Sequence, residues 1–112
     1  MIHVAFTPQS VKVSGHGGTA PRGQDVVCAA VSALVQALVL GLDEIARCDV
    51  SVERLEPGDV AAQWPPLSGN DAARAILATA AASLQEIAGR NPDAVRVTGA
   101  VEILNEYHAA EA

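Results

Sequence analysis

The 112-residue sequence has almost no aromatic residues, and Phe6, Trp64 and Tyr107 are the whole set. Proteins that bind single-stranded nucleic acid by stacking present several aromatic rings on one surface, so this chain lacks such a platform. Half of the residues are nevertheless hydrophobic, mostly alanine, valine and leucine, which is enough for a core without a disulfide or a structural metal. The length predicts one domain over residues 1–112.

Positive charge is also scarce: there are seven Lys and Arg residues, no two of them adjacent, and the net charge is −6. Affinity for nucleic acid comes largely from clustered cations on phosphates, so the composition predicts no nucleic-acid partner. An acidic surface keeps a small protein soluble, and it also attracts a basic peptide. Both interpretations stay open at this point.

Cysteine is limited to Cys28 and Cys48, with no Cys-x-x-Cys motif, and the histidines His3, His16 and His108 are far apart. This pattern predicts neither a disulfide framework nor a zinc site, and no cofactor is expected. The first residues lack the basic region that opens a signal peptide. We therefore expect a cytoplasmic protein with reduced thiols.

One uncharged run, Val26 to Leu42, approaches the length of a membrane span. The residues at its two ends are Asp25 and Asp43, whereas a membrane span usually has positively charged residues at one end. The run also contains the polar residues Ser32 and Gln36. The run therefore favours a helix buried between layers of a soluble core, and no membrane partner is expected.

Alternating hydrophobic residues predict two hairpins, and 3.6-residue periodicity predicts two main helices. The expected order is β-β-α-β-β-α-β, an α+β fold in which two helices pack on a small, mostly antiparallel sheet. The predicted strands span 2–6, 11–13, 50–55, 59–64 and 94–98, the helices span 26–45 and about 71–88, and a short helical tail follows at 101–107.

A glycine-rich segment, 15–23, precedes the first helix and contains His16. If Asp25 is the N-cap, Cys28 lies in the first helical turn, where unpaired N–H groups and the helix dipole favour a thiolate and offer donors to an oxyanion. Glycines allow the segment to fold back and bring the imidazole to the sulfur, where it can transfer protons. On these residues alone, an inert cysteine and a solvent-facing histidine are an equal alternative.

The run Gly15-His16, followed after a loop by Gly23-x-Asp25-x-Val27-Cys28-Ala29-Ala30, resembles the signature of the ribosomal-processing cysteine protease family. The resemblance implies a dyad of Cys28 as nucleophile and His16 as general base and acid, without a metal. It implies a peptide substrate, the N-terminal extension of a large-subunit ribosomal protein, and a homodimer. A non-catalytic peptide-binding or ribosome-assembly module on the same scaffold is the alternative.

Four glycines, Gly15, Gly17, Gly18 and Gly23, are assigned by the resemblance to a substrate-covering loop. The family usually has alanine after the histidine, where this chain has Gly17, so substrate preference is the property that this departure affects.

Two further residues are candidates for supporting roles. Asp25 either caps the helix or orients His16 as a third member of the site. Ser32 shares the helix face of Cys28 and bonds either to the sulfur or the loop, or back to the carbonyl of residue 28. Cys48 is expected to be structural, and His3 and His108 to be surface residues.

Overall fold

The computed structural model describes residues 1–15, 22–56 and 58–111, and for residues 22–25 and 111 it covers the backbone alone. Within these ranges there are five strands and three α-helices, in the order β-β-α-β-β-α-β-α. They are β1 (Ile2–Thr7), β2 (Ser10–Ser14), α1 (Arg22–Leu40), β3 (Ser51–Glu56), β4 (Asp59–Gln63), α2 (Asp71–Arg90), β5 (Val95–Thr98) and α3 (Ala100–Glu111). A π-helical turn, Gly41–Ile45, continues α1.

The strands form one sheet in the order β3-β4-β2-β1-β5, with three antiparallel contacts and one parallel contact between β1 and β5. The predicted α+β class, the mostly antiparallel sheet and the order of elements are therefore confirmed. The tail predicted at 101–107 is the longer helix α3.

The first hairpin follows from the alternation of buried and exposed residues along β1 and β2. In β1, Ile2, Val4 and Phe6 are buried on one face, while the residues between them point to the other. The turn between β1 and β2 is attached to the end of β4, because the indole N–H of Trp64 donates to the carbonyl of Pro8 at 3.0 Å. This bond satisfies the polar atom of a ring that is otherwise buried.

The two faces of the sheet differ in character. The inner face packs against the helices, while the outer face carries exposed polar side chains. The molecule is therefore two layers thick, with extents of 43 × 28 × 17 Å. The exposed residues of the outer face include His3, Lys12, Ser14, Arg96 and Thr98.

Helix α1 differs from its prediction in two respects. It begins at Arg22 rather than after Asp25, and it is not buried all round. Only 28% of the apolar segment Val26–Ile45 is buried. The segment is long and apolar enough to cross a membrane, but the core helices of soluble proteins meet the same criteria of length and composition. In a two-layer fold the sheet and α2 cover one side of α1, and no described element covers the other.

Helix α2 begins as predicted. The side chain of Asn70 accepts the backbone N–H of Ala73 at 3.0 Å, which is the usual N-cap bond. The helix ends two residues later than predicted, because Gly89 and Arg90 are helical and Asn91 occupies the C-terminal cap. Ile76 of α2 packs against Gly41 in the π-helical turn. A Cβ at residue 41 would lie only 3.0 Å from the Ile76 side chain, so this close packing depends on the glycine having no side chain.

Candidate active site at the start of α1

Cys28 is the seventh residue of α1, and its side chain is partly buried against the hydrophobic core. The helix follows β2 along the chain, and the six residues between Gly15 and Arg22 can span at most about 25 Å. The end of β2 and the start of α1 therefore lie no more than about 25 Å apart. Ser14 and its cross-strand partner Asp59 lie at this end of the sheet.

Gly15 shows why the chain needs a glycine where it leaves β2. Its φ is +85°, a conformation that L side chains rarely adopt, and a Cβ there would overlap the carbonyl oxygen of Met1. The two observations together exclude any other residue without rearrangement. The beginning of the glycine-rich segment thus lies against Met1, the residue just before β1.

The other predicted residues of this segment have different outcomes. His16, Gly17 and Gly18 lie outside the described residues, so the pairing of His16 with Cys28 stays a prediction. Gly23 is the second residue of α1, so the prediction that it belongs to the loop is wrong.

The helix start also corrects the roles given to Asp25 and to the first turn. Asp25 is the fourth residue of α1, so its predicted N-cap position is wrong, and its role as a third member of the site stays a prediction. The unpaired N–H groups of a helix belong to its first residues, here Arg22 to Gln24, whereas the N–H of Cys28 has the carbonyl of Gln24 as its helical partner. The predicted first-turn position of Cys28 and its N–H as an oxyanion donor are therefore wrong.

Ser32 lies one turn beyond Cys28 and is partly buried. Among the described residues its hydroxyl makes no hydrogen bond, so the predicted alternative of a bond to the carbonyl of residue 28 is not observed. In α2, by contrast, the hydroxyls of Thr79 and Ser83 donate to the carbonyls four residues earlier at 2.7 Å. Ser32 lies on the same helix face as the Cys28 sulfur, and its predicted supporting role stays a prediction.

Cys48 occupies a different environment, beyond the π-helical turn. Its backbone N–H donates to the carbonyl of Leu42 at 2.8 Å, and the side-chain amide of Asn70 donates to its sulfur at 3.8 Å. Burial raises the pKa of the Cys48 thiol, since the charged thiolate loses solvation. These contacts fit the structural role expected for this residue.

The same amide of Asn70 also donates to the carbonyl of Ala46 at 2.9 Å, so one side chain joins the start of α2 to the segment around Cys48. The sequence predicted a helix start at about residue 71 but not this second contact of Asn70. No local pattern signals a hydrogen bond to a residue 24 positions earlier.

The remaining histidines are exposed, as expected. His3 lies on the outer face of the sheet, with its Nε2 3.4 Å from the hydroxyl of Thr98. His108 lies on α3, and its ring meets the Tyr107 ring edge-on, with centroids 5.6 Å apart. Across the described part of the chain, no three His, Cys, Asp or Glu side chains are grouped as metal ligands would be.

A cavity of about 280 Å³ in the described regions lies at the opposite end of the sheet from the start of α1 and contains none of the predicted site residues. Arg74 in its wall is already engaged. Its guanidinium donates to Asp71 and to the carbonyl of Tyr107, and it stacks 5.2 Å from the centroid of that ring. We interpret Arg74 as a structural link between α2 and α3. The cavity contains no predicted site residue, so it adds no group to the proposed chemistry of Cys28.

Comparison with known proteins identifies related sequences and folds. The family model described as cysteine protease Prp matches residues 1–96, a range that contains every predicted site residue. SMU.848 from Streptococcus mutans is 26% identical, with a TM-score of 0.69 over 87% of this chain and 91% of that one. Among curated proteins none matches the sequence.

Two solved structures of the essential ribosomal processing protease Prp from S. aureus are also similar. The complex with a covalently linked product peptide is 26% identical, with a TM-score of 0.74 over 87% of this chain and 97% of that one. The complex with a substrate peptide is 22% identical, with a TM-score of 0.72 over 87% and 95%, and at this identity it supports the fold alone.

Proposed function

Since the chain belongs to the Prp family of cysteine proteases, we propose that it is a cysteine endopeptidase with Cys28 as nucleophile and His16 as general base and acid. One observation carries the assignment. Of the two cysteines in the chain, Cys28 is the one that follows the glycine-rich segment containing a histidine, and it lies seven residues into the helix that comes directly after that segment.

The proposed chemistry needs one thiol and one imidazole. His16 takes the proton of Cys28, and the sulfur attacks the carbonyl carbon of the scissile peptide bond. His16 then gives this proton to the leaving amine as the carbon–nitrogen bond breaks, which leaves a thioester on Cys28. Water, deprotonated by His16, hydrolyses the thioester and regenerates the thiol.

Cys48 is unsuited to this role. Its raised pKa keeps it in the thiol form, and the thiol attacks carbonyls poorly. Its sulfur is also in contact with the Asn70 amide at the junction between the π-helical turn and α2.

The stabilisation of the oxyanion must come from groups other than those predicted from the sequence. The unpaired N–H groups of Arg22 to Gln24 lie four to six residues before Cys28, about 6–9 Å along the helix axis. Hydrogen bonds to an oxyanion require donors about 3 Å away. A tetrahedral centre formed on the Cys28 sulfur is therefore better served by side chains or by backbone outside this first turn.

For the substrate, we propose the basic N-terminal extension of a large-subunit ribosomal protein, processed in the cytoplasm by a homodimer of this chain. The net charge of −6 supports attraction of a basic peptide. The name of the S. aureus relative, a ribosomal processing protease, supports the same substrate class. Gly17 stands where the family usually has alanine, and we expect this difference to affect which peptide sequence the chain prefers.

A non-catalytic peptide-binding module remains the second candidate, and the helix start favours it. With α1 beginning at Arg22, Cys28 lacks the first-turn N–H groups that would help to stabilise a thiolate. In that case the chain binds peptides without cleaving them.

The test is incubation with the host's own ribosomal proteins, followed by mass analysis of their N-terminal peptides. We expect one large-subunit protein to lose its N-terminal extension, and we expect His16→Ala to abolish this product while the matched control His108→Ala leaves it unchanged. A product that persists in His16→Ala contradicts the dyad. Retention of an intact ribosomal protein by the wild-type chain, without any product, identifies the binding module.

A further inference from the structure

The cavity that contains Arg74, hereafter the α2–α3 cavity, has the size and the lining of a small-molecule site. Its volume is about 280 Å³. Pockets that bind small ligands begin at about 300 Å³, so the space suits one small molecule and not a long peptide. Its lining includes three buried aliphatic side chains, Leu67, Leu77 and Ile103. These side chains offer an apolar contact to whatever enters the cavity.

Hydrogen bonds hold the elements around the α2–α3 cavity in place. The backbone N–H of Asn70 donates to the carbonyl of Leu67 at 3.0 Å and closes the turn before α2. The guanidinium of Arg74 donates to the carbonyl of Tyr107 at 3.2 Å and joins α2 to α3. A ligand that enters a pre-formed pocket avoids the cost of ordering its walls.

Arg74 supplies the positive charge of the cavity, and its side chain is only 18% exposed. Its hydrogen bonds to Asp71 and to the carbonyl of Tyr107 use part of the N–H groups of the guanidinium. Asp71 competes weakly for this cation, because its own side chain is 94% exposed to water. A carboxylate inside the cavity would therefore be a favourable further acceptor for Arg74.

Glu106 adds a charge of opposite sign to the same lining. It is exposed, and among the described residues it forms no ion pair. A ligand with only a carboxylate would leave Glu106 uncompensated, and a ligand with only an ammonium group would leave Arg74 without a ligand anion. A molecule with both charges and an apolar side chain complements the whole lining.

We propose that the α2–α3 cavity binds a free α-amino acid with an aliphatic side chain. The carboxylate pairs with Arg74, the ammonium group pairs with Glu106, and the side chain packs on the buried aliphatic lining. No covalent step is involved.

The family match does not assign this site. Ile103, Glu106 and Tyr107 belong to α3, which lies beyond the matched residues 1–96. Cys28 is not among the lining residues, so amino-acid binding and peptide cleavage are separate properties. The proposal therefore does not depend on the protease chemistry.

The first test is a titration of the isotope-labelled full chain, followed by two-dimensional NMR of the backbone amides. The three ligands are L-leucine, isocaproate, which is leucine without the amino group, and isoamylamine, which is leucine without the carboxylate. We expect leucine to give saturable shifts at Leu77 and Ile103 with a Kd of about 1 mM or tighter. Each analogue should bind at least about tenfold more weakly, because it leaves one charge of the lining unpaired.

The second test compares two glutamates of α3. Glu106 lines the cavity, whereas Glu102 is exposed on the same helix and does not line it. Glu106→Gln should weaken leucine binding about tenfold without weakening isocaproate, because only the ammonium group loses its partner. Glu102→Gln should leave leucine binding unchanged. Circular dichroism spectra should be the same for both variants and the wild type.

Four results would overturn the proposal. The first is the absence of saturable shifts at Leu77 and Ile103 with leucine at about 20 mM, far above the expected Kd. The second is an analogue that binds as tightly as leucine. The third is unchanged leucine binding in Glu106→Gln, and the fourth is an equal loss of binding in Glu102→Gln.

Discussion

Cys28 and Cys48 are similarly exposed and lie near opposite ends of one continuous helical segment, yet their surroundings differ. Cys48 has a hydrogen bond to its sulfur, a backbone bond to Leu42 and a raised pKa. Cys28 follows a segment that starts at Gly15, a glycine with positive φ, and contains a histidine. The degree of burial therefore does not separate the two cysteines, and the proposed difference in their reactivity rests on the neighbouring groups.

The largest effect is expected when each cysteine is removed in turn. Cys28→Ala should lower the cleavage rate by at least about 1,000-fold, because no other group can form the thioester. Cys48→Ala should keep the rate within a factor of about three, because the change removes a small side chain far from the chemistry. Cleavage is followed by mass spectrometry of the N-terminal product. Equal loss in both variants would break the distinction between the two residues.

The next effect concerns the backbone that leads towards Cys28. Gly15→Ala should destabilise the fold by about 2 kcal/mol or more, because the new Cβ would overlap the Met1 carbonyl at an unfavourable φ. Gly89→Ala is the matched control, since nothing lies within 4 Å of its Cβ, and it should stabilise α2 by about 0.5–1 kcal/mol. Urea denaturation measures both. A neutral Gly15→Ala would show that this end of β2 is not constrained.

A smaller effect is expected at the residue that contacts Cys48. Asn70→Ala should cost about 1–2 kcal/mol, because α2 loses its N-cap. Asn70→Ser keeps a capping oxygen but lacks the amide donor, so it should retain most of the stability. Both variants should expose Cys48 to alkylation without changing the alkylation rate of Cys28. Increased alkylation of Cys28 instead would contradict the separation of the two environments.

The smallest effect is the pH dependence of Cys48 itself, measured in the Cys28→Ala protein. Its pKa is raised in the folded state, so the neutral thiol is the favoured form. Its contribution to stability is complete below the pKa of an unfolded cysteine, about 8.5, and is lost as pH rises through the folded value. Iodoacetamide should therefore label it more slowly than a free thiol at pH 8. Labelling at the rate of the urea-unfolded protein would contradict this environment.

The sequence predicted the strands and helices because their signals are local. The alternation of Ile2, Val4 and Phe6 is a property of neighbouring residues, as is the cap at Asn70. The start of α1 was misjudged because Asp25 is a good cap residue, and nothing in the sequence required the helix to continue past it to Arg22. Local preference is a weak guide where tertiary structure decides a boundary.

The exposure of α1 was also misjudged, and for a different reason. An uncharged run shows that one helix avoids water, but it does not show what covers it. Burial inside the domain was inferred, whereas the described fold leaves Val26, Leu40 and Ile45 exposed. The proposal that Cys28 is the nucleophile came from the resemblance of the run around it to the family signature, and the local properties of the thiol left an inert cysteine as an equal alternative.

The most direct test of the difference between the two cysteines is competitive labelling of the wild-type protein. Limiting iodoacetamide at pH 7 is followed by peptide-resolved mass spectrometry, which assigns the label to residue 28 or 48. We predict that Cys28 is labelled about tenfold faster than Cys48 or more, and that His16→Ala removes this advantage. Equal labelling of the two residues, or a Cys28 rate no greater than that of a free thiol, would contradict the assignment of Cys28 as the nucleophile.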